Sequence, residues 1–355
     1  MEEVLLESRS PLCRLDAIVA KEKNAYYFYI MKAPEAGCEM VHFCWICNRG
    51  PAPEELTADS FRDGAPMMPK KNVGPEHLPG GMDLDASKLS IVWYRSGDCA
   101  AVLSDNEIIC VIPPNVGKYD FPGFSKFAAG QHRYAWALPV STKKMKSEIE
   151  ENRRFWKELS SCHSDILTEH QNIISGFLGN PAARLLDIDR GEFPYRTLLQ
   201  GEKNDVVYDF TAGVSRYPMP KSPLYFNNDS DKSCYIELGF ACEKKHAVLA
   251  DMMGSVLAQI SDIPWGENDI IWHGHTIEFN SIRGCSAIVL INPDYISEAE
   301  APDYSSADRK INLLWVVPVT DEEFSIIKNE GIIKALSRVR FRNRLHIFDG
   351  HRKFV

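Results

Sequence analysis

No two glycines in this chain are separated by a single residue, and neither Gly-Lys-Ser nor Gly-Lys-Thr occurs. These absences exclude the dinucleotide fingerprint, the kinase-type loop and the P-loop, which need glycine at fixed offsets for the backbone to close on phosphate. Long apolar runs are missing too. Apolar runs such as Ala287-Ile-Val-Leu-Ile291 and Leu313-Leu-Trp-Val-Val317 fall far short of the ~20 residues that cross a bilayer. Positive charge is in deficit, with 40 Lys and Arg against 49 Asp and Glu and a formal net charge of -9. That balance points away from nucleic acid or an anionic membrane as the main partner. The local basic stretch at the end, from Arg338 through Arg340, Arg342 and Arg344 to Arg352 and Lys353, reads as a solvated edge. The start, Met-Glu-Glu-Val-Leu-Leu-Glu-Ser-Arg, is acidic and has no signal core, so the ten cysteines are expected to be reduced, mostly buried thiols in the cytoplasm.

What is present suits two domains, since 355 residues exceed the usual ~100–200 of one. Residues 1–140 are expected to form a β-rich α+β domain. Ala25-Tyr-Tyr-Phe-Tyr-Ile30 and Val41-His-Phe-Cys-Trp-Ile46 are aromatic strand sequences, and Ser104-Asp-Asn-Glu107 reads as a hairpin turn. The polar stretch from Asn48 to Asp85, rich in Gly and Pro, is a long loop that is either functional or an extended cover. Residues 141–180 carry Met145, Ile149, Trp156, Leu159, Ile166, Ile173 and Phe177 near a helical period, which predicts one long connecting helix. From there to residue 355, strands alternate with helices. One helix bears Val248, Leu249, Met252, Met253, Val256, Leu257 and Ile260 on a face, and Thr320-Asp-Glu-Glu323 is a capping box opening another that breaks near Gly331. The expected class is α+β: mixed, largely antiparallel sheets with packed helices, in two units joined by a long helix.

Three motifs were candidates for chemistry. Cys44-Trp-Ile-Cys47 has the spacing of a zinc knuckle or redox pair, but no second such pair exists, and Asn48-Arg-Gly-Pro51 does not start a helix that could lower a thiol pKa. In a regular strand the two thiols would face opposite ways, so structural thiols are expected. His273-Gly-His275 could place two imidazoles on one strand face, with Glu278 as a third ligand. The competing reading is a turn or strand end whose histidines hydrogen-bond locally. Gly213-Val-Ser-Arg-Tyr217 begins like a nucleophile elbow but lacks the second glycine, so Ser215 is expected to serve a turn.

Three further patterns carry a resemblance: Thr211-Ala-Gly-Val-Ser-Arg-Tyr-Pro-Met219, Gly274-His-Thr-Ile277 after a Pro-Trp pair at 264 and 265, and Leu313-Leu-Trp-Val-Val-Pro-Val-Thr-Asp-Glu-Glu-Phe324. In order and spacing, residues 195–339 resemble the suppressor of fused domain family. Ala212 stands where that family has Ser, which argues against a required hydroxyl there. The resemblance implies a binding role. Animal members sequester a transcription factor in Hedgehog signalling, and bacterial members have been proposed as immunity proteins that neutralise a toxin. The animal proteins carry a further C-terminal domain, whereas the added sequence here lies on the N-terminal side, so no partner-contact residue is carried over.

The expectation is therefore a non-catalytic protein-binding module without cofactor, an immunity or inhibitory protein that sequesters a partner. The acidic balance suits a basic partner such as a toxin. The alternative is a metal-dependent enzyme using His273, His275 and Glu278.

Overall fold

Short, mostly antiparallel strands organise the first part of the chain. In the computed structural model, which describes residues 3–34, 37–62, 64–159, 163–180, 184–187, 196–226, 230–296, 299–304, 309–339 and 344–350, the fold is α+β. The chain divides into two units, Met1–Ser160 with Trp265–Asn268 and Ser161–Pro264 with Asp269–Val355.

In the first unit, β1 (Glu3–Arg9), β2 (Leu15–Lys21), β3 (Ala25–Lys32) and β4 (Met40–Asn48) form an antiparallel sheet in sequence order. A second sheet has the order β5 (Leu89–Trp93), β6 (Ala100–Ser104), β7 (Glu107–Ile112), β8 (Phe124–Ser125), β10 (Ala135–Ala137), β9 (Gln131–His132). The β6–β7 hairpin turns on Asp105 and Asn106, both at positive φ, as the sequence predicts. The loop after β4 is tied down by Asn48, whose side chain is fully buried. Its Oδ1 accepts from Trp45 Nε1 at 2.9 Å and from the Met68 N–H at 2.8 Å, while its Nδ2 donates to the Met68 carbonyl at 2.9 Å. The Asn48 N–H donates to Nε2 of His77 at 3.0 Å, and the His77 ring stacks on Trp45. The loop is thus a packed cover over the β4 end of the sheet.

Helix α1 (Lys143–Leu159) belongs to this unit, and α2 (His163–Leu178) to the other. The stretch expected as one long helix therefore holds two, with residues 160–162 between them outside the described residues.

The second unit is built on one sheet, ordered β11 (Arg184–Asp187), β12 (Thr197–Lys203), β13 (Val206–Ala212), β14 (Tyr235–Glu243), β17 (Ile311–Val319), β16 (Ala287–Ile291), β15 (Thr276–Glu278), with β18 (Ile347–Phe348) also on β14. Pairing is antiparallel except for β14 with β17 and with β18. The central strands are buried along almost their whole length and are largely apolar, with buried exceptions such as Asp209, Thr211 and Glu237. This unit also forms the short helices α3 (Ser222–Phe226) and α4 (Ser230–Ser233). Leu199 on one face of the sheet joins Ile174 and Leu178 of α2 in the core, together with Ile327 of α6 (Asp321–Glu330) and Ala335 of α7 (Ile332–Ser337). Leu198, pointing the other way, meets Gly254 of α5 (Ala247–Gly266), so helices cover both faces. Each side chain buried in this way contributes about 1.5–3 kcal/mol.

Two local features set distances in this core. Gly239 on β14 lies under the Trp315 indole, where a Cβ would come within 2.8 Å of the ring. On α5 the buried stripe is Ala250, Met253, Leu257 and Ile260, and Val248, expected on it, is 85% exposed. Val248 sits in the first turn of α5, two residues before the stripe begins.

The predicted capping box is present. Thr320 Oγ1 accepts from the Glu323 N–H at 3.3 Å, and Glu323 Oε2 accepts from the Thr320 N–H at 2.8 Å. Of the C-terminal basic residues, Arg338 pairs with Glu330 and Arg344 with Glu243. Arg340, Arg342, Arg352 and Lys353 lie outside the described residues. Among the described residues, no helix is long and apolar enough to cross a membrane.

Candidate functional site

The turn after β13 converges on one buried carboxylate. Glu237 sits in the middle of β14, fully shielded from solvent. Its Oε2 accepts from Thr211 Oγ1 at 2.6 Å, and its Oε1 accepts from the backbone N–H groups of Gly213 and Ser215 at 3.2 and 2.9 Å. Gly213 stands at φ +100, which lets the chain leave β13 and fold its next amides back toward the carboxylate. From α2, His170 Nδ1 lies 3.4 Å from Glu237 Oε1, within ion-pair reach but without hydrogen-bond geometry. His170 Nε2 is 3.4 Å from Ser215 Oγ. Tyr304 packs edge-on against the imidazole.

A serine, a histidine and a carboxylate in a row have the residue types of a nucleophilic triad. Here their exposures are 2%, 1% and 0%, and the serine amide and the histidine meet the same carboxylate oxygen. The carboxylate braces a turn and a helix. Burial is the largest influence on both titrating groups. It pushes the Glu237 carboxyl up to about 7 against the opposing pull of its donors, and holds His170 down to about 4. Ser215 thus sits in a turn, with its hydroxyl beside His170 and its amide on Glu237 rather than the hydroxyl-to-backbone bond expected of it. The sequence reading missed Glu237 and His170, although a lone carboxylate inside Tyr235-Ile-Glu-Leu-Gly-Phe240 was a readable signal of a buried, satisfied charge.

The other candidates fall elsewhere. Cys44 pairs across from Phe28 and Cys47 from Tyr26, because the register slips by one residue at Ile46. The two thiols therefore share a face, contrary to the alternation expected of a regular strand. Both are fully buried, and Cys44 also lies within hydrogen-bonding reach of Cys110 on β7. Burial pushes the Cys47 and Cys110 thiols well up, which keeps them protonated.

His273 and His275 precede β15, in a turn with Gly274 at φ +89, so the alternation of a strand does not apply to them. His273 Nδ1 accepts the Asn292 N–H at 3.2 Å, its ring stacks on Tyr295 at 4.4 Å, and burial lowers its pKa. His275 and Glu278 are exposed. Among the described residues, no group of three His, Cys, Asp or Glu side chains is placed to hold a metal ion.

Residues 194–353 match the family described as Suppressor of fused protein (SUFU). The second unit carries a suppressor of fused domain. No curated protein matches the chain. In this suppressor of fused domain, the resembling segment from Thr211 to Ser215 supplies the groups that hold Glu237. Ala212 contributes no donor there, in keeping with its lack of a hydroxyl. The suppressor of fused assignment implies a protein-binding regulatory role.

Proposed function

We propose that this chain is a non-catalytic protein-binding module of the cytoplasm that holds a partner protein in an inactive complex, as an immunity protein holds a toxin. The observation that carries this reading is the suppressor of fused match over residues 194–353. It is supported by the use made of the segment that resembles that family. Its hydroxyl and amides are spent inside the fold on Glu237, leaving recognition to the surface around them. The formal net charge of -9 suits a basic partner and speeds its encounter at low salt.

The test is affinity capture from the native cell, with identification of what is retained. One stoichiometric protein whose activity or toxicity falls when this chain is co-expressed is the expected result. Capture of nothing specific, or turnover of a small molecule by the purified chain, overturns the proposal.

A further inference from the structure

A cleft of about 340 Å³ opens between the turn at His273, the segment Tyr295–Ile296 and α7, where Ile333, Leu336 and Ser337 complete the wall. It lies at the small end of ligand pockets, about 300–1,000 Å³, with room for an anchoring side chain rather than an extended ligand. The walls are fixed by local chemistry. The capping box starts α6, Gly331 at φ +85 redirects the chain into α7, and Gly274 approaches Ile332 so closely that a Cβ there would lie 2.7 Å from its Cγ2.

Three observations say what the cleft takes. Its rim is apolar and open: Tyr295 is 60% and Ile333 81% exposed, two of the four large hydrophobic side chains most exposed in this unit. Second, His273 is left with an unused donor. Nδ1 accepts from Asn292, so the proton of the neutral ring is on Nε2, which is shielded from water and has no partner among the described residues. Third, Lys334 and Arg338 on and just after α7 share the single carboxylate of Glu330, which leaves one positive charge beside the cleft in a chain of net charge -9.

We propose that this cleft anchors the partner protein, receiving one leucine- or isoleucine-sized side chain from a segment that carries a carboxylate beside it. A carbonyl of that segment accepts the Nε2–H of His273. The inference rests on the protein-binding reading above and names the site of that binding. A locally acidic segment is compatible with a partner that is basic as a whole.

The test uses methyl NMR of the full chain titrated with the capped tripeptide acetyl-Glu-Leu-Ala-amide and with its counterpart acetyl-Lys-Leu-Ala-amide. Saturable shifts are expected at the methyls of Ile296, Ile333 and Leu336. The lysine peptide should bind about threefold more weakly, a gap that closes in high salt. His273→Phe keeps a ring against Tyr295 but removes the Nε2 donor together with the Nδ1 acceptor of the Asn292 N–H, and should weaken binding about fivefold. Ile333→Asp alters an exposed residue, so the fold is retained, and it should abolish the shifts. Absence of shifts in the wild-type chain, or equal shifts in Ile333→Asp, overturns the proposal. The two readings fail separately. A captured partner held equally well by Ile333→Asp removes the cleft and leaves the binding function, whereas peptide binding without any cellular partner removes the function and leaves the cleft.

Discussion

Each unit fastens an irregular segment to its sheet with one buried polar side chain, but the two hubs differ in kind. Asn48 in the first unit is neutral at every pH, and all its polar atoms find partners in Trp45, Met68, His77 and Met82. Glu237 in the suppressor of fused domain is ionisable, with donors supplied to it by Thr211, Gly213 and Ser215 and an imidazole alongside. A neutral hub gives rigidity that acid affects only through its neighbours. An ionisable hub couples the fold directly to proton concentration.

Removing the hubs gives the largest expected effects. Glu237→Ala strands the Thr211 hydroxyl and two backbone N–H groups in a dry core and should cost about 3–5 kcal/mol. Asn48→Ala strands the Trp45 indole N–H and both Met68 backbone groups, and should cost about 2–3 kcal/mol. Urea denaturation read by amide exchange, at Ser215 for one hub and Met68 for the other, keeps the two units apart. If Asn48→Ala proves the more damaging of the two, the ranking of the ionisable over the neutral hub is wrong.

The pH response sharpens the comparison. Glu237 has a folded value of about 7 against 4.5 unfolded, so the fold prefers its protonated form. That stabilisation is complete below pH 4.5 and is lost as pH rises through about 7. His170 has a folded value of about 4 against 6.5, so the fold prefers its neutral form. Its stabilisation is complete above pH 6.5 and is lost as pH falls through about 4. Each swing is on the order of 3 kcal/mol, and between pH 4.5 and 6.5 they oppose one another. Glu237→Gln should leave stability rising with pH in that window, and His170→Gln should leave it falling. Parallel stability curves for the wild type and both variants would sink the assignment. In the first unit His77 and His132 are both held below their ordinary values by burial, and it is His77 that bonds to the Asn48 hub. Exchange at Met68 should therefore quicken on acidification below pH 6.5 and stay flat above it.

These hubs also mark how far the sequence could be read. Strands, the β6–β7 turn, the Thr320 capping box and the break at Gly331 were legible because each depends on residues a few positions apart. The suppressor of fused resemblance was legible for the same reason, through short ordered motifs. The meeting of His170 with Glu237 was not, since it needs α2 to land on the face of a sheet formed later in the chain. Nor was the common face of Cys44 and Cys47, because the slip at Ile46 is a property of the pairing with β3 and not of β4 alone. The cleft at His273 escaped notice as a site because its apolar wall comes from α7, whose direction Gly331 sets.

The smallest expected effect tests where the units are alike. Both contain a two-residue hairpin loop with both residues at positive φ: Asp105-Asn106 between Ser104 and Glu107, and Asn204-Asp205 between Lys203 and Val206. Side chains with a Cβ are mildly strained in this left-handed region, and glycine at the second position relieves the strain. Asn106→Gly and Asp205→Gly should therefore each stabilise their own unit by a few tenths of a kcal/mol to about 1 kcal/mol. The loops differ in their tertiary contacts: Asn106 Oδ1 accepts from Arg153 Nη2 at 3.5 Å, a contact that Asn106→Gly gives up. The Asp205 carbonyl accepts the N–H of Lys244 at 2.8 Å, a bond that a glycine keeps only if the turn holds its shape. Equal gains at both sites mean the turn geometry is set by the strand pairing on either side. A gain at position 106 with a loss at 205 means that the Asp205 side chain, and not only its backbone, holds the Lys244 contact, and the likeness between the two hairpins ends at φ.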